Sequence, residues 1–234
     1  MLALLSPISM NRLVSSFLLV AATLALLSCV SAPTGDPSFP VRSLPSQDGI
    51  LATAVRVAAT VEPPENRHRS YVRIAEAYIA QGQRQAANVI LDHTRQQSGS
   101  GSENPASAQL LLQLGEAYLN SGRTQDGLDA LRAALDTSRA DASPAARARI
   151  VRRVIDATFA IGEPGFDLLG FSVQQVLVLE DLWLRVRLLT ETARRYIETG
   201  NEQSVNQLVQ QALPAAGSLE NPYRRAAAFG LVAG

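Results

Sequence analysis

The chain has 234 residues, in which 21 arginines balance 21 acidic residues and lysine is absent. A formal charge of zero gives no overall pull toward nucleic acid or acidic lipid, and a phosphate loop ending in Gly-Lys-Ser/Thr cannot be written without lysine. Aromatics make up 5% of the residues, a profile for close-packed helices rather than a β-sandwich, and a lone cysteine excludes an internal disulfide.

Met10-Asn11-Arg12 supplies a short basic start, and Leu13 to Leu27 is an almost uninterrupted apolar run. At about 1.5 Å per residue the run spans roughly 22 Å, short of the ~30 Å hydrocarbon core. Residues 1–28 therefore read as a signal peptide rather than a permanent anchor, and a start at Met10 would make the better leader. Leu26-Leu27-Ser28-Cys29 resembles a bacterial lipobox. That resemblance implies cleavage before Cys29 and its acylation, hence a membrane anchor. The competing cut, after Val30-Ser31-Ala32, is followed at once by Pro33, which impedes it. By resemblance to Gram-negative lipoproteins, Val30 after the cysteine allows transit to the periplasmic side of the outer membrane.

Residues 29–47 carry Pro33, Pro37, Pro40 and Pro45 among Ser, Thr and Gly, so no helical period survives. They read as a tether reaching on the order of 50 Å, or else as a loop packed on the domain. Residues 48–234 form the expected helical domain. Asp48–Val61 is its first apolar helix, ended by Glu62-Pro63-Pro64 and packed as a cap.

Gly82, Gly122, Gly162, Gly200 and Gly234 follow at spacings of 40, 40, 38 and 34 residues, a period that marks a solenoid. Tyr71-x2-Ile74-Ala75-x2-Tyr78-x3-Gly82 and Leu111-x2-Leu114-Gly115-x2-Tyr118-x3-Gly122 resemble the first helix of a tetratricopeptide repeat. The resemblance implies an all-α solenoid of antiparallel helix pairs, a protein-binding scaffold and no enzyme; another α-solenoid with helix pairs of similar length is the alternative. The units are expected near His68–Ser98, Ala108–Ala140, Ala148–Leu179 and Val186–Leu213, with a flexible link at Ser98–Pro105. With each turn glycine counted as the fifteenth position, Ala75, Gly115 and Ala193 stand at the eighth, where paired helices approach. Ala87 and Gly127 answer them from the twentieth. Leu91, Leu131, Phe171 and Val209 are expected as core plugs at the twenty-fourth. The third unit departs, with Ile155 and Asp167 at the two small positions. Asn221 to Gly234 reads as the first helix of a fifth unit, either a lid on the fourth or the mark of a truncated chain.

In tetratricopeptide arrays the first helices line the concave face. Carried over position by position, that face would show Arg69, Arg73 and Glu76, then Gln109, Gln113, Glu116 and Asn120. Arg149, Arg152, Arg153 and Asp156 follow, and then Arg187, Glu191, Arg194 and Glu198. Arginine forks suit the carboxylates and carbonyls of an extended peptide; the plainer reading is a solvated face of self-paired charges. Val72, Glu76, Leu112 and Glu116 stand where the family's chaperone-tail clamp needs lysine and asparagine, so that activity is not implied. His68 and His93 are 25 residues apart with no cysteine nearby, which makes a zinc site unexpected, and no cofactor motif is present. Glu76 and Glu116 lack the polar support that paired acid catalysis needs, and Trp183 reads as core. The expected partner is a protein or peptide at a bacterial envelope. A solute-binding accessory lipoprotein and a structural spacer are the alternatives.

Overall fold

Gly82, Gly122, Gly162 and Gly200 all adopt positive φ, and at each of them one helix ends and the next begins. The computed structural model describes residues 49–99, 107–141 and 143–233, which belong to one compact unit. The leader, Cys29, the proline-rich segment, most of the Ser98–Pro105 link and Gly234 lie outside the described residues. The helices are α1 (Ile50–Ala58), α2 (Pro64–Ala80), α3 (Arg84–Gly99), α4 (Ala108–Ser121) and α5 (Thr124–Asp141). They continue with α6 (Pro144–Ile161), α7 (Phe166–Leu177), α8 (Leu182–Glu198), α9 (Glu202–Gly217) and α10 (Pro222–Ala233). No strand occurs among the described residues. The protein is an all-α stack in which α2–α3, α4–α5, α6–α7 and α8–α9 are antiparallel hairpins. The first helices also pack side by side, α2 on α4, α4 on α6 and α6 on α8.

Local chemistry fixes both ends of the first helices. The side chains of Ser107, Ser143 and Asp181 each accept a hydrogen bond from a backbone N–H three residues on, and Asn221 accepts two, from Tyr223 and Arg224. Such N-caps satisfy donors that the helix itself cannot. At the other end, Gly122 donates to the Leu119 carbonyl at 3.0 Å and Arg123 donates to that of Tyr118 at 2.9 Å. This crossed pair is the Schellman motif, and the left-handed residue it needs is Gly122 at φ 91°. The cap helix is expected over Asp48–Val61, ended by Glu62-Pro63-Pro64. Instead α1 stops at Ala58 and Pro64 opens α2, because proline's missing N–H costs nothing in a first turn.

Close approach within the second hairpin follows from two absent side chains. A Cβ on Gly115 would lie 2.7 Å from the Leu131 side chain and 3.1 Å from the Gly127 carbonyl oxygen. Leu91 and Leu131 are fully buried, as expected of core plugs.

The third hairpin corrects the expected register. Gly162 has φ 77° and ψ −137°, which leads into a 3-10 turn (Glu163–Gly165) instead of the left-handed cap. The turn brings the buried face of this segment two residues closer to the glycine, so Gly165, not Asp167, takes the small-residue position. A Cβ there would meet the Thr158 carbonyl oxygen at 2.8 Å. Leu168, Leu169 and Ser172 then face inward, and Phe171, expected as a plug, is left half-buried. The guanidinium groups of Arg132 and Arg139 cover its ring at 4.8 and 5.5 Å. Val209 is half-buried as well, with Leu208 and Ala212 filling the fourth hairpin.

Among the described residues three apolar clusters make up the interior, and helices with two apolar faces join them. Leu110 and Leu114 of α4 pack toward α1–α3, while Leu112 packs toward α5–α9. The third cluster sets Val186 of α8 and Ala215 and Ala216 of α9 against Ala228 of α10, with Trp183 half-buried at its edge. Thus α10 covers the fourth hairpin as a lid.

Candidate functional site

The ninth position of the first three units is acidic: Glu76, Glu116 and Asp156. Because first helices stack side by side, these carboxylates form a row. The row lines a hollow of about 660 Å³, together with Asn120, Arg153, Leu119, Ala157, Ala160 and Ile161. Asp156 is also a wall of the next hollow, between α6 and α8, where Arg152, Glu191, Arg194, Arg195 and Glu198 gather. A third hollow shares Arg152, Leu188 and Glu191 with the second and adds Arg149 and Arg187. The three therefore adjoin one another along the first-helix face from α2 to α8.

Ion pairs cross this face from one repeat to the next. Arg153 of α6 donates to the Glu116 carboxylate of α4. Arg152 pairs with Glu191 of α8 at 3.3 Å, and Asp156 pairs with Arg195 at 3.3 Å. Burial pushes the Glu116 carboxyl above its ordinary value; Arg153 pulls it back and Glu76 pushes it further up, with a net rise. Such part-exposed pairs contribute only about 0–1 kcal/mol each, so they set the charge pattern more than they hold the stack.

Most of the residues predicted for this face come together on it. Glu76, Glu116, Asn120, Arg153 and Asp156 share the large hollow, and Arg149, Arg152, Arg187 and Arg194 line the other two. Arg69 and Arg73 stand in a separate small hollow on α2 with Asn66 and Ser70, where Arg69 pairs with Glu65 at 2.7 Å. Gln109 and Gln113 are half-buried and line none of these hollows, and Gln113 Oε1 is enclosed without a hydrogen-bond partner. Arg195 is the residue of this face that position-by-position reasoning missed. It occupies the tenth position, which is Ala77, Ala117 and Ala157 in the other units, and that exception was the available signal.

A second polar cluster ties the first two hairpins together away from the hollows. Tyr118 donates its hydroxyl to Asp92 Oδ1 at 2.9 Å, and Arg123 lies 4.8 Å over the Tyr118 ring while pairing with Asp92 and Asp126. Burial, and then the Asp92 charge, raise the Tyr118 hydroxyl well above its ordinary value. The cluster is saturated internally and reads as a strap between repeats.

No family model matches the chain, and no curated protein matches it. Among solved structures, one similar chain is described as "Podosopora anserina putative kinesin light chain nearly identical TPR-like repeats". It shares 24% identity over 74% of this chain and 86% of that one, with a TM-score of 0.42. The assignment of stacked helix hairpins rests on the turns, caps and packing described above.

Proposed function

We propose that the protein is a binding scaffold whose first-helix face captures an extended segment of a partner protein. The observation that carries this reading is the row of three adjoining hollows, which share wall residues across α2, α4, α6 and α8. Their walls carry both signs of charge, which suits the alternating demands of a polypeptide better than those of an apolar solute. The test is a charge reversal of Arg149, Arg152 and Arg153 together, followed by crosslinking and pull-down from membranes with the full chain. Captured partner should fall sharply while the thermal melt stays nearly unchanged, because none of the three is buried. Undiminished capture would reject the binding face.

The scaffold works, in this reading, at a bacterial envelope, held through acylated Cys29 on the periplasmic side of the outer membrane and serving the assembly of an envelope complex. The apolar run Leu13–Leu27 and the sequence Leu26-Leu27-Ser28-Cys29 support it. Cys29→Ser should abolish incorporation of labelled palmitate and move the protein from the membrane to the soluble fraction. Retained label in that variant would overturn the anchor.

A further inference from the structure

We infer that the cleft between α6 and α8 selects, within the bound segment, an aliphatic side chain next to an acidic one. This rests on the binding face proposed above and names what one part of it reads. The cleft has a volume of about 200 Å³, and its floor is apolar, formed by Ala148 and Leu188 with half-buried Leu184 and exposed Ala145 beside them. Its rim is charged and unbalanced: Arg149, Arg152 and Arg187 stand against Glu191 alone. Arg152 and Arg187 both lean on that one carboxylate, each at 3.3 Å. Arg149 is exposed, and among the described residues no carboxylate pairs with it. Three guanidinium groups gathered around one anion leave formal positive charge directly above an apolar floor. A ligand that fills the floor and neutralises the rim must pair an aliphatic group with a carboxylate, which guanidinium forks receive in bidentate fashion.

The carboxylate belongs to an aspartate or glutamate side chain rather than to a chain end. Arg152, Leu188 and Glu191 also wall the neighbouring hollow, so the two adjoin on one face and an extended segment lying along it passes over both. The large hollow further along holds Glu76, Glu116 and Asp156 with Arg153 as its only cation, a net negative lining that disfavours a second acidic group and confines this preference to the α6–α8 end.

The experiment titrates the full chain with four N-acetylated peptides while following alanine and leucine methyl resonances. Three have the form acetyl-Gly-Leu-X-Gly-amide, with X as Asp, Asn or Lys. The fourth, acetyl-Gly-Gly-Leu, ends in a free carboxylate. The Asp peptide should shift the methyls of Ala148 and Leu188 saturably, the Asn peptide more weakly, and the Lys peptide not at all. Arg149→Gln and Arg187→Gln should each weaken the Asp peptide roughly two- to fivefold, the scale of a part-exposed ion pair. Equal binding of the Asp and Asn peptides, tighter binding of the free-carboxylate peptide, unaltered binding in both variants, or no methyl response would each overturn the inference. If one of these occurs while the triple charge reversal still abolishes partner capture, the face binds but reads another chemistry. If capture also survives that reversal, the binding face itself is wrong.

Discussion

Gly115 and Gly127 face each other so closely that a Cβ on either would lie 3.0–3.1 Å from the other's carbonyl oxygen. The contact sets the spacing of α4 and α5, the most extensively packed pair in the stack. Gly115→Ala should therefore destabilise the protein, because an overpacking cost of about 1–3 kcal/mol outweighs the ~1 kcal/mol gain in helix propensity. Gly170→Ala makes the same exchange inside α7 where nothing lies within 4 Å, and should stabilise by about 0.5–1 kcal/mol. Urea unfolding of the two variants should give shifts of opposite sign.

The turn glycines are not equivalent. Gly122 is left-handed with ψ 7°, a conformation that asparagine tolerates, so Gly122→Asn should unfold at higher urea than Gly122→Ala. The alanine cost is about 1–2 kcal/mol. Gly162, at ψ −137°, lies near a region that only glycine populates readily. Asparagine should rescue nothing there, and Gly162→Asn and Gly162→Ala should lose similar stability.

Glu116 offers a titration with a definite sign. Its carboxyl is raised by burial, opposed by Arg153 and raised further by Glu76. Glu76→Gln should lower the Glu116 midpoint, and Arg153→Gln should raise it, both followed by carboxyl carbon resonances. A folded value above the unfolded one means that the proton is bound more tightly in the native state. The stability linked to Glu116 is therefore fully present below its ordinary value and is lost as pH rises through the raised one. Urea midpoints of the wild type and of Glu116→Gln should diverge across that window.

Tyr118 and Asp92 can be separated by a double-mutant cycle. Tyr118→Phe removes the hydroxyl but keeps the ring beneath Arg123, and should cost about 0.5–1.5 kcal/mol. The same change in an Asp92→Ala background should cost less, since the acceptor is already gone.

The fold was legible because its punctuation is written in glycine and its close contacts in glycine and alanine. Gly82, Gly122 and Gly200 close helices as their spacing predicts, and Leu91 and Leu131 are buried as expected. The third hairpin misled for a physical reason: counting from Gly162 assumes a left-handed cap, whereas Pro164 and Gly165 build a tighter turn that moves α7 by two residues. The pattern Gly165-x2-Leu168-Leu169-x2-Ser172 matches Ala87-x2-Ile90-Leu91-x2-Thr94, so aligning buried faces rather than turns recovers the register. Of the face, the ninth-position carboxylates and the arginines of α6 were readable. The link from Asp156 to Arg195 was not, because its reach depends on a long side chain standing where three alanines set the expectation.

The ion pairs that cross the first-helix face are part-exposed, whereas Leu91, Leu112, Leu131 and Leu169 of the stack are fully buried. Exchanging one charged side chain for another there leaves folding almost indifferent. The outer lettering can therefore drift toward a new recognition code while the spine beneath it is inherited unchanged.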